Sequence, residues 1–209
     1  MPKVVLKKGV VATNNQNAKF VPPLNPAGKW KPFGSSCPRF NGAITSANLA
    51  GLINSNLNGV AAGNRVTFAI AIQNIGTGPA YDVEVIDTRP LDPVDRPACF
   101  DVLPNSCVLR GNGTPLPFTT AIAGHGRIRI KLGAPLAAGI LNATGTNIAI
   151  ITFNAQLLSN LHLECCENKA ELAHYAATPN GPDLVAGSTS PAYHDSARLC
   201  RSPYPPKLQ

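Results

Sequence analysis

The sequence predicts an all-β fold, an antiparallel sandwich of about seven short strands. Three observations carry that prediction. Apolar residues alternate with polar or small ones at a period of two, as where Val66, Phe68, Ile70 and Ile72 are set between Thr67, Ala69, Ala71 and Gln73. Turn-forming residues punctuate the chain at short intervals, with 18 Gly and 20 Pro among 209 residues. Finally, only 14% of residues are charged while 44% are hydrophobic; soluble domains are typically about 25% charged. That is enough apolar content for a core, under a neutral, hydroxyl-rich surface that suits an extracellular β protein better than a cytosolic enzyme.

Taken in order, residues 3–13 are β-branched and strand-like, and 14–19 are polar. Residues 21–33 are broken by Pro22, Pro23, Pro26 and Pro32, which predicts an extended linker. Residues 43–60 read either as a strand followed by a short helix or as an irregular loop. The strand of 66–73 ends at the Ile75-Gly76-Thr77-Gly78-Pro79 turn, and Tyr81, Val83 and Val85 then alternate with Asp82, Glu84 and Asp87. A Pro- and Asp-rich loop covers 89–97, with short strands expected at 107–110 and 118–122 around Gly111-Asn112-Gly113. Ile128, Ile130 and Leu132 alternate with Arg127, Arg129 and Lys131. Residues 146–157 are apolar on both faces, as in the middle of a sheet, and 167–176 alternate again with Ala170 and Leu172 facing in. The expected division is an extended basic arm at 1–40, a sandwich at 41–201 and a tail at 202–209.

The run Val66-Thr67-Phe68-Ala69-Ile70-Ala71-Ile72-Gln73-Asn74-Ile75-Gly76-Thr77-Gly78-Pro79-Ala80-Tyr81-Asp82-Val83-Glu84-Val85-Ile86-Asp87-Thr88 resembles the opening of the bacterial conserved surface repeat known as domain of unknown function 11. Asn168-Lys169-Ala170-Glu171-Leu172, with Tyr175 after it, is similar to that repeat's closing strand. The resemblance covers roughly residues 64–177. It implies an Ig-like sandwich of the kind found in large exported surface proteins, and it implies no catalytic role. A single copy, a long basic arm and several cysteines depart from the repeat's usual pattern.

Six cysteines, with no CxxC pair, point to an oxidising compartment in which disulfides supplement a core. The expected local bridge joins Cys99 to Cys107 across the Pro104-Asn105 turn. Cys37, Cys165, Cys166 and Cys200 then supply two more, with Cys37 bonded to one of the adjacent pair. Met1-Pro2-Lys3 leads into Val4-Val5-Leu6-Lys7-Lys8 without an apolar leader segment, which reads as a leader already removed or a mature form. No apolar run is long enough to span a membrane. Asn112 and Asn142 open N-x-T acceptor triplets on expected turns and are candidates for glycosylation.

Charge is distributed unevenly. Residues 1–81 carry eight Lys or Arg and no acid, whereas six acids crowd into residues 82–101. Such asymmetry predicts a partner for the basic half. Enzyme-like groupings are sparse. His162, Glu164, Cys165, Cys166 and His174 could be drawn together as a metal or nucleophile site, but adjacent cysteines seldom share one zinc. Asp87, Asp92, Asp95 and Asp101 lack the spacing of a calcium loop and read as turn formers. No phosphate-binding or nucleophile-elbow motif is present, so the expectation is a protein that is not an enzyme and uses no cofactor.

The leading functional expectation is a structural subunit of an extracellular filament or pilus-like surface assembly. Its partners would be other copies of itself, joined head to tail, with glycans as a further class of partner and no nucleic acid. Val4, Val5, Leu6, Val10 and Val11, with Lys7 and Lys8, would form a strand donated to a neighbour's sheet. The lysines would match the neighbour's acidic 82–101 segment, and small outward residues Ala69 and Ala71 would lie under a covering chain. The alternatives are a monomeric adhesin module that binds carbohydrate or protein, and a capsid-like jelly roll with a basic arm.

Overall fold

Alternating sequence becomes two stacked sheets. The structure, a computed structural model, describes residues 1–31, 40–91, 99–102, 106–139, 143–158, 164–185 and 190–201. The strands are β1 (Val4–Thr13), β2 (Lys19–Val21), β3 (Asn56–Val60), β4 (Arg65–Asn74), β5 (Tyr81–Thr88) and β6 (Phe100–Val102) in the first half. They continue with β7 (Cys107–Arg110), β8 (Phe118–Ile122), β9 (Arg127–Leu132), β10 (Ile148–Leu157), β11 (Cys165–Ala176) and β12 (His194–Arg201). A short helix, α1 (Leu49–Ile53), precedes β3. One sheet runs β1-β4-β10-β6, with β7 also on β10, and the other runs β2-β3-β12-β11-β5-β9-β8. Neighbours are antiparallel, except that β3 lies parallel to β12.

Between the sheets, Val66, Phe68, Ile70 and Ile72 of β4 meet Val83 and Val85 of β5, Ile130 of β9 and Leu172 of β11 in one core. Phe68 stacks on Phe153 at 5.3 Å and tilts against Phe100 at 5.2 Å. β10 occupies the centre of its sheet, as its two-faced apolar pattern predicts.

The N-terminal segment departs from expectation. β1 is not an arm: it pairs antiparallel with β4 of its own chain from Val4↔Asn74 to Thr13↔Val66. β2 likewise joins the other sheet through β3, so no domain boundary falls at residue 40. Ala69 and Ala71 are covered, but by the same chain. Ile44, Leu49, Leu52, Ile53 and Trp30 form a second core over the outer face of β4 and β10, with Ala69, Ala71, Ile148 and Ile150 beneath. Trp30 donates its indole N–H to the Leu52 carbonyl at 2.9 Å and packs edge-on against Phe40. The Pro-rich stretch through Pro26 is thus part of the route to a roof rather than a free linker. Within residues 43–60 the helix comes first and the strand second, reversing the order expected. A register shift between Val10 and Ala12 turns Val11 into this second core while Val10 stays in the first.

The disulfides also differ from expectation. Cys99 bonds Cys166, with Cα atoms 6.2 Å apart, and Cys165 bonds Cys200, with Cα atoms 4.1 Å apart. The local Cys99–Cys107 bridge is therefore absent, although Cys107 is itself disulfide-bonded. Cys165 and Cys166 are side by side on a strand, so their side chains leave opposite faces. Each takes a separate partner, and neither is available to Cys37, which lies outside the described residues. A bridge between the sheets won over sequence proximity because Cys99 and Cys166 both sit in the main core.

Candidate functional site

Strand parity places three polar groups inside the sandwich. Lys8 shares its face of β1 with Val4, Leu6 and Val10, and is 1% exposed. Asp87 shares its face of β5 with Val83 and Val85, and is 3% exposed. Asn168 shares its face of β11 with Cys166, Ala170 and Leu172, and is 0% exposed. All three point into the same apolar layer between the sheets.

Lys8 Nζ forms a buried ion pair with Asp87 Oδ1 and lies 5.6 Å and 5.4 Å from the ring centres of Phe68 and Phe153. The Lys8 backbone N–H donates to Asp195 Oδ2 at 2.7 Å, which pins β1 to β12 of the opposite sheet. Burial pushes the Lys8 ammonium below its ordinary value, against the charge and hydrogen bond of Asp87 and the more distant charge of Asp195. Removing one member of such a pair leaves an uncompensated buried charge and costs about 3–5 kcal/mol.

Asn168 has no such partner. Neither Oδ1 nor Nδ2 of its amide finds a hydrogen bond among the described residues, although the side chain is fully buried. Asn147, also buried, loses only Oδ1 and still donates Nδ2 to the Asn74 carbonyl at 3.0 Å. A buried polar group left unpaired costs about 1–3 kcal/mol, and native cores rarely tolerate one. Asn168 is also close to the ion pair in register. Asp87 is opposite Ala170 across β5 and β11, so Asn168, two residues along, is its diagonal neighbour on the same inner face. Amine, carboxylate and primary amide thus share one water-poor layer.

Elsewhere the acidic 82–101 segment is answered within the chain. On the outer face, Arg129 pairs with Glu84 at 2.9 Å, and Lys131 approaches Asp82 and Glu84 at 3.6 and 3.7 Å. Asp87, grouped with the polar face in the sequence, points inward to Lys8 and not into a calcium-binding loop; Asp101 is exposed on β6. Asp92 and Asp95 lie outside the described residues, as do His162 and Asn142. Of the basic first half, Lys8 answers the acidic segment within the molecule, through Asp87, while Asp82 and Glu84 are answered by Lys131 and Arg129 of β9. Among the donated-strand residues, Val4, Leu6, Val10 and Val11 fill their own cores, Val5 is half-buried, and Lys7 alone is exposed.

His174 Nδ1 is 3.2 Å from Asp183 Oδ1, far from the Cys165–Cys200 bridge in the strand register, and no metal-binding group of three forms among the described residues. Asn112 is exposed at its turn, its Oδ1 accepting from the Thr114 N–H and hydroxyl at 3.1 and 2.7 Å. An open depression of about 660 Å³ on the outer face of the larger sheet is bordered by Thr88, Arg127, Lys169, Glu171 and His194.

No protein-family model and no curated protein matches the chain. Among solved structures it is similar to the N-terminal domain of the Streptococcus gordonii adhesin Sgo0707, at 14% identity and TM-score 0.44, covering 69% of this chain and 30% of that one. It is similar to a type I cohesin from Pseudobacteroides cellulosolvens at 10% identity and TM-score 0.41, covering 73% of this chain and 91% of that one. It is also similar to the pilus backbone RrgB of Streptococcus pneumoniae at 14% identity and TM-score 0.46, covering 85% of this chain and 54% of that one. The chain therefore spans less than a third of the adhesin chain and about half of the pilus chain.

Proposed function

We propose that this chain is a structural module of an extracellular surface assembly, of filament, pilus or adhesin type, which holds its shape under load. The observation that carries the reading is the fastening of the outermost strands in sequence. β1 is held to β4 along ten residues of strand and to the opposite sheet by Lys8 through Asp87 and Asp195. β12, the last described strand, is bolted to β11 by Cys165–Cys200, and β11 to the β6 side by Cys99–Cys166. A pull on the two ends of the fold would load these fastenings in shear. The disulfides suit an oxidising exterior, and the resemblance of residues 64–177 to an exported surface repeat supports the same location.

Donation of β1 to a neighbour does not follow from this arrangement. Leaving its own core would strand Asp87 as an unpaired buried charge and uncover Phe68 and Ile70. A reading as a binding module has one observation of its own, the mixed-charge depression on the outer face.

Sedimentation and negative-stain microscopy of the purified chain test the arrangement. Folded single particles with β1 in place are expected. If a chain lacking residues 1–13 stays folded and captures a peptide of that sequence, strand donation between copies replaces closure within one copy.

A further inference from the structure

The buried layer holds the reactants of an amide-forming reaction and little else that is polar. Lys8 supplies a primary amine, Asn168 a primary carboxamide with neither atom hydrogen-bonded among the described residues, and Asp87 a carboxylate already in contact with the amine. Three chemical requirements are met together. The amine must be able to lose its proton, and burial pushes the Lys8 value down. The carbonyl must be polarised by an acid, and Asp87 is the diagonal strand neighbour of Asn168. Competing water must be scarce, and the rings of Phe68 and Phe153 wall the amine.

We propose that Lys8 Nζ and Asn168 Cγ become joined by an intramolecular amide (isopeptide) bond, formed by the chain itself with Asp87 as the acid–base group. The ammonium of Lys8 first passes a proton to the Asp87 carboxylate. The freed lone pair of Nζ attacks Asn168 Cγ while the Asp87 carboxyl hydrogen-bonds Oδ1, where the carbonyl electron pair collects. A proton moves from Nζ through Asp87 to Nδ2, the Cγ–Nδ2 bond breaks, and the carbonyl re-forms. Nitrogen leaves as ammonia, which takes the last proton as ammonium, and Asp87 returns to the carboxylate. Nothing is oxidised or reduced, and no cofactor enters. A cavity of about 20 Å³ bordered by Asp87, Ser106, Thr120 and Phe153 lies beside the carboxylate, with room for one small molecule. The amide retains one N–H and one C=O beside Asp87, so Asn168 loses a donor that had no acceptor.

The bond would tie the first strand to β11 across the sandwich, which goes beyond the surface-module reading and is tested separately from it. Intact mass spectrometry of the full chain, reduced and denatured, is the experiment, followed by fragmentation of the proteolytic peptides. The expected result is a mass lower than the sequence by one ammonia, with the loss on a branched peptide joining the Lys8 and Asn168 segments. Lys8→Met, Asn168→Ala and Asp87→Ala should each restore the full mass of their sequences. Asn168→Asp should instead lose one water, since the leaving group is then hydroxyl. Circular dichroism on each variant confirms that it is folded. A folded wild-type chain at its full sequence mass would overturn the proposal. So would an ammonia loss located at an Asn-Gly pair such as Asn58-Gly59 or Asn112-Gly113, or one that persists in folded Asp87→Ala.

Discussion

The ammonium of Lys8 on the first strand meets the carboxylate of Asp87, 79 residues later, inside a core otherwise built from Val, Ile, Leu and Phe. That contact joins the two sheets. It also uses the one acid of the 82–101 segment that strand parity turns inward among the described residues. At this one pair the basic first half meets the acidic middle within the molecule.

Asp87→Ala should be among the most damaging single changes. It leaves Lys8 buried without a counter-charge, and in an Asn168→Ala background, where no cross-link can form, a loss of about 3–5 kcal/mol is expected. Asp87→Ala combined with Lys8→Met should recover much of that loss, because no unpaired charge remains. Urea unfolding of the two variants measures the difference, and equal stabilities would contradict it.

Gly9 should not tolerate a side chain. A Cβ there would lie 1.3 Å from the Ile53 carbonyl oxygen, where the end of α1 crosses β1 and Val10 N–H bonds to Ser55 O at 2.8 Å. Gly9→Ala is expected to cost several kcal/mol by forcing α1 off the sheet, on the scale of about 1–3 kcal/mol or more for overpacking. Gly63→Ala, at φ +76° with open space around it, serves as the control, paying only backbone strain of about 1 kcal/mol. Thermal unfolding compares the two.

Cys200→Ser should expose a single new thiol, Cys165, and leave Cys99–Cys166 intact. The closed loop spans 35 residues, and its loss should cost about 3–4 kcal/mol. Thiol labelling with peptide fragmentation reads the site. Recovery of Cys99 bonded to Cys107 would contradict the pairing.

Without a cross-link, stability should depend on alkaline pH through Lys8. Its value is lowered on folding, so between that value and 10.5 the unfolded chain binds more protons at Nζ, and stability rises with pH across that window. Tyr175, pushed up to about 12 first by burial and then by its hydrogen bond with Tyr193, acts in the opposite sense only above its unfolded value of 10.0. Melting temperatures of Asn168→Ala should therefore climb as pH approaches 10 from below. The same series in Asn168→Ala with Lys8→Met should be flatter, and parallel curves would contradict the assignment.

Much of the fold was legible because the inner strands repeat every two residues. The strand at 127–132 falls where the alternation puts it, and those at 107–110 and 118–122 flank the Gly111-Asn112-Gly113 turn that predicts them. β2 and β6 are three residues each, too short to show a period. β12 carries His194, Asp195, Ser196 and Arg198 among few apolar residues, so only its neighbours identify it. The buried site was within reach of the same rule. Lys8 has the parity of Val4, Leu6 and Val10, and Asp87 that of Val83 and Val85, yet charge weighed against placing either inside. Which residue answers the lysine depends on sheet stacking, which no local pattern encodes. Small residues at Ala69 and Ala71 predict a cover, but that the same chain supplies it follows only from the Trp30 and Leu52 contacts.

The claim that the outermost strands are fastened is tested most directly by pulling single molecules from their two ends in an oxidising buffer. The 8–168 segment is predicted to stay closed: the gain in contour length at rupture should exclude it, and reductant should lengthen the gain only through the Cys165–Cys200 loop, since the Cys99–Cys166 loop lies inside the closed segment. Lys8→Met should then release β1 at low force, and yield the full gain once the disulfides are reduced. A wild-type chain whose first strand peels away at the same low force as Lys8→Met, yielding the whole contour length once reduced, would contradict it.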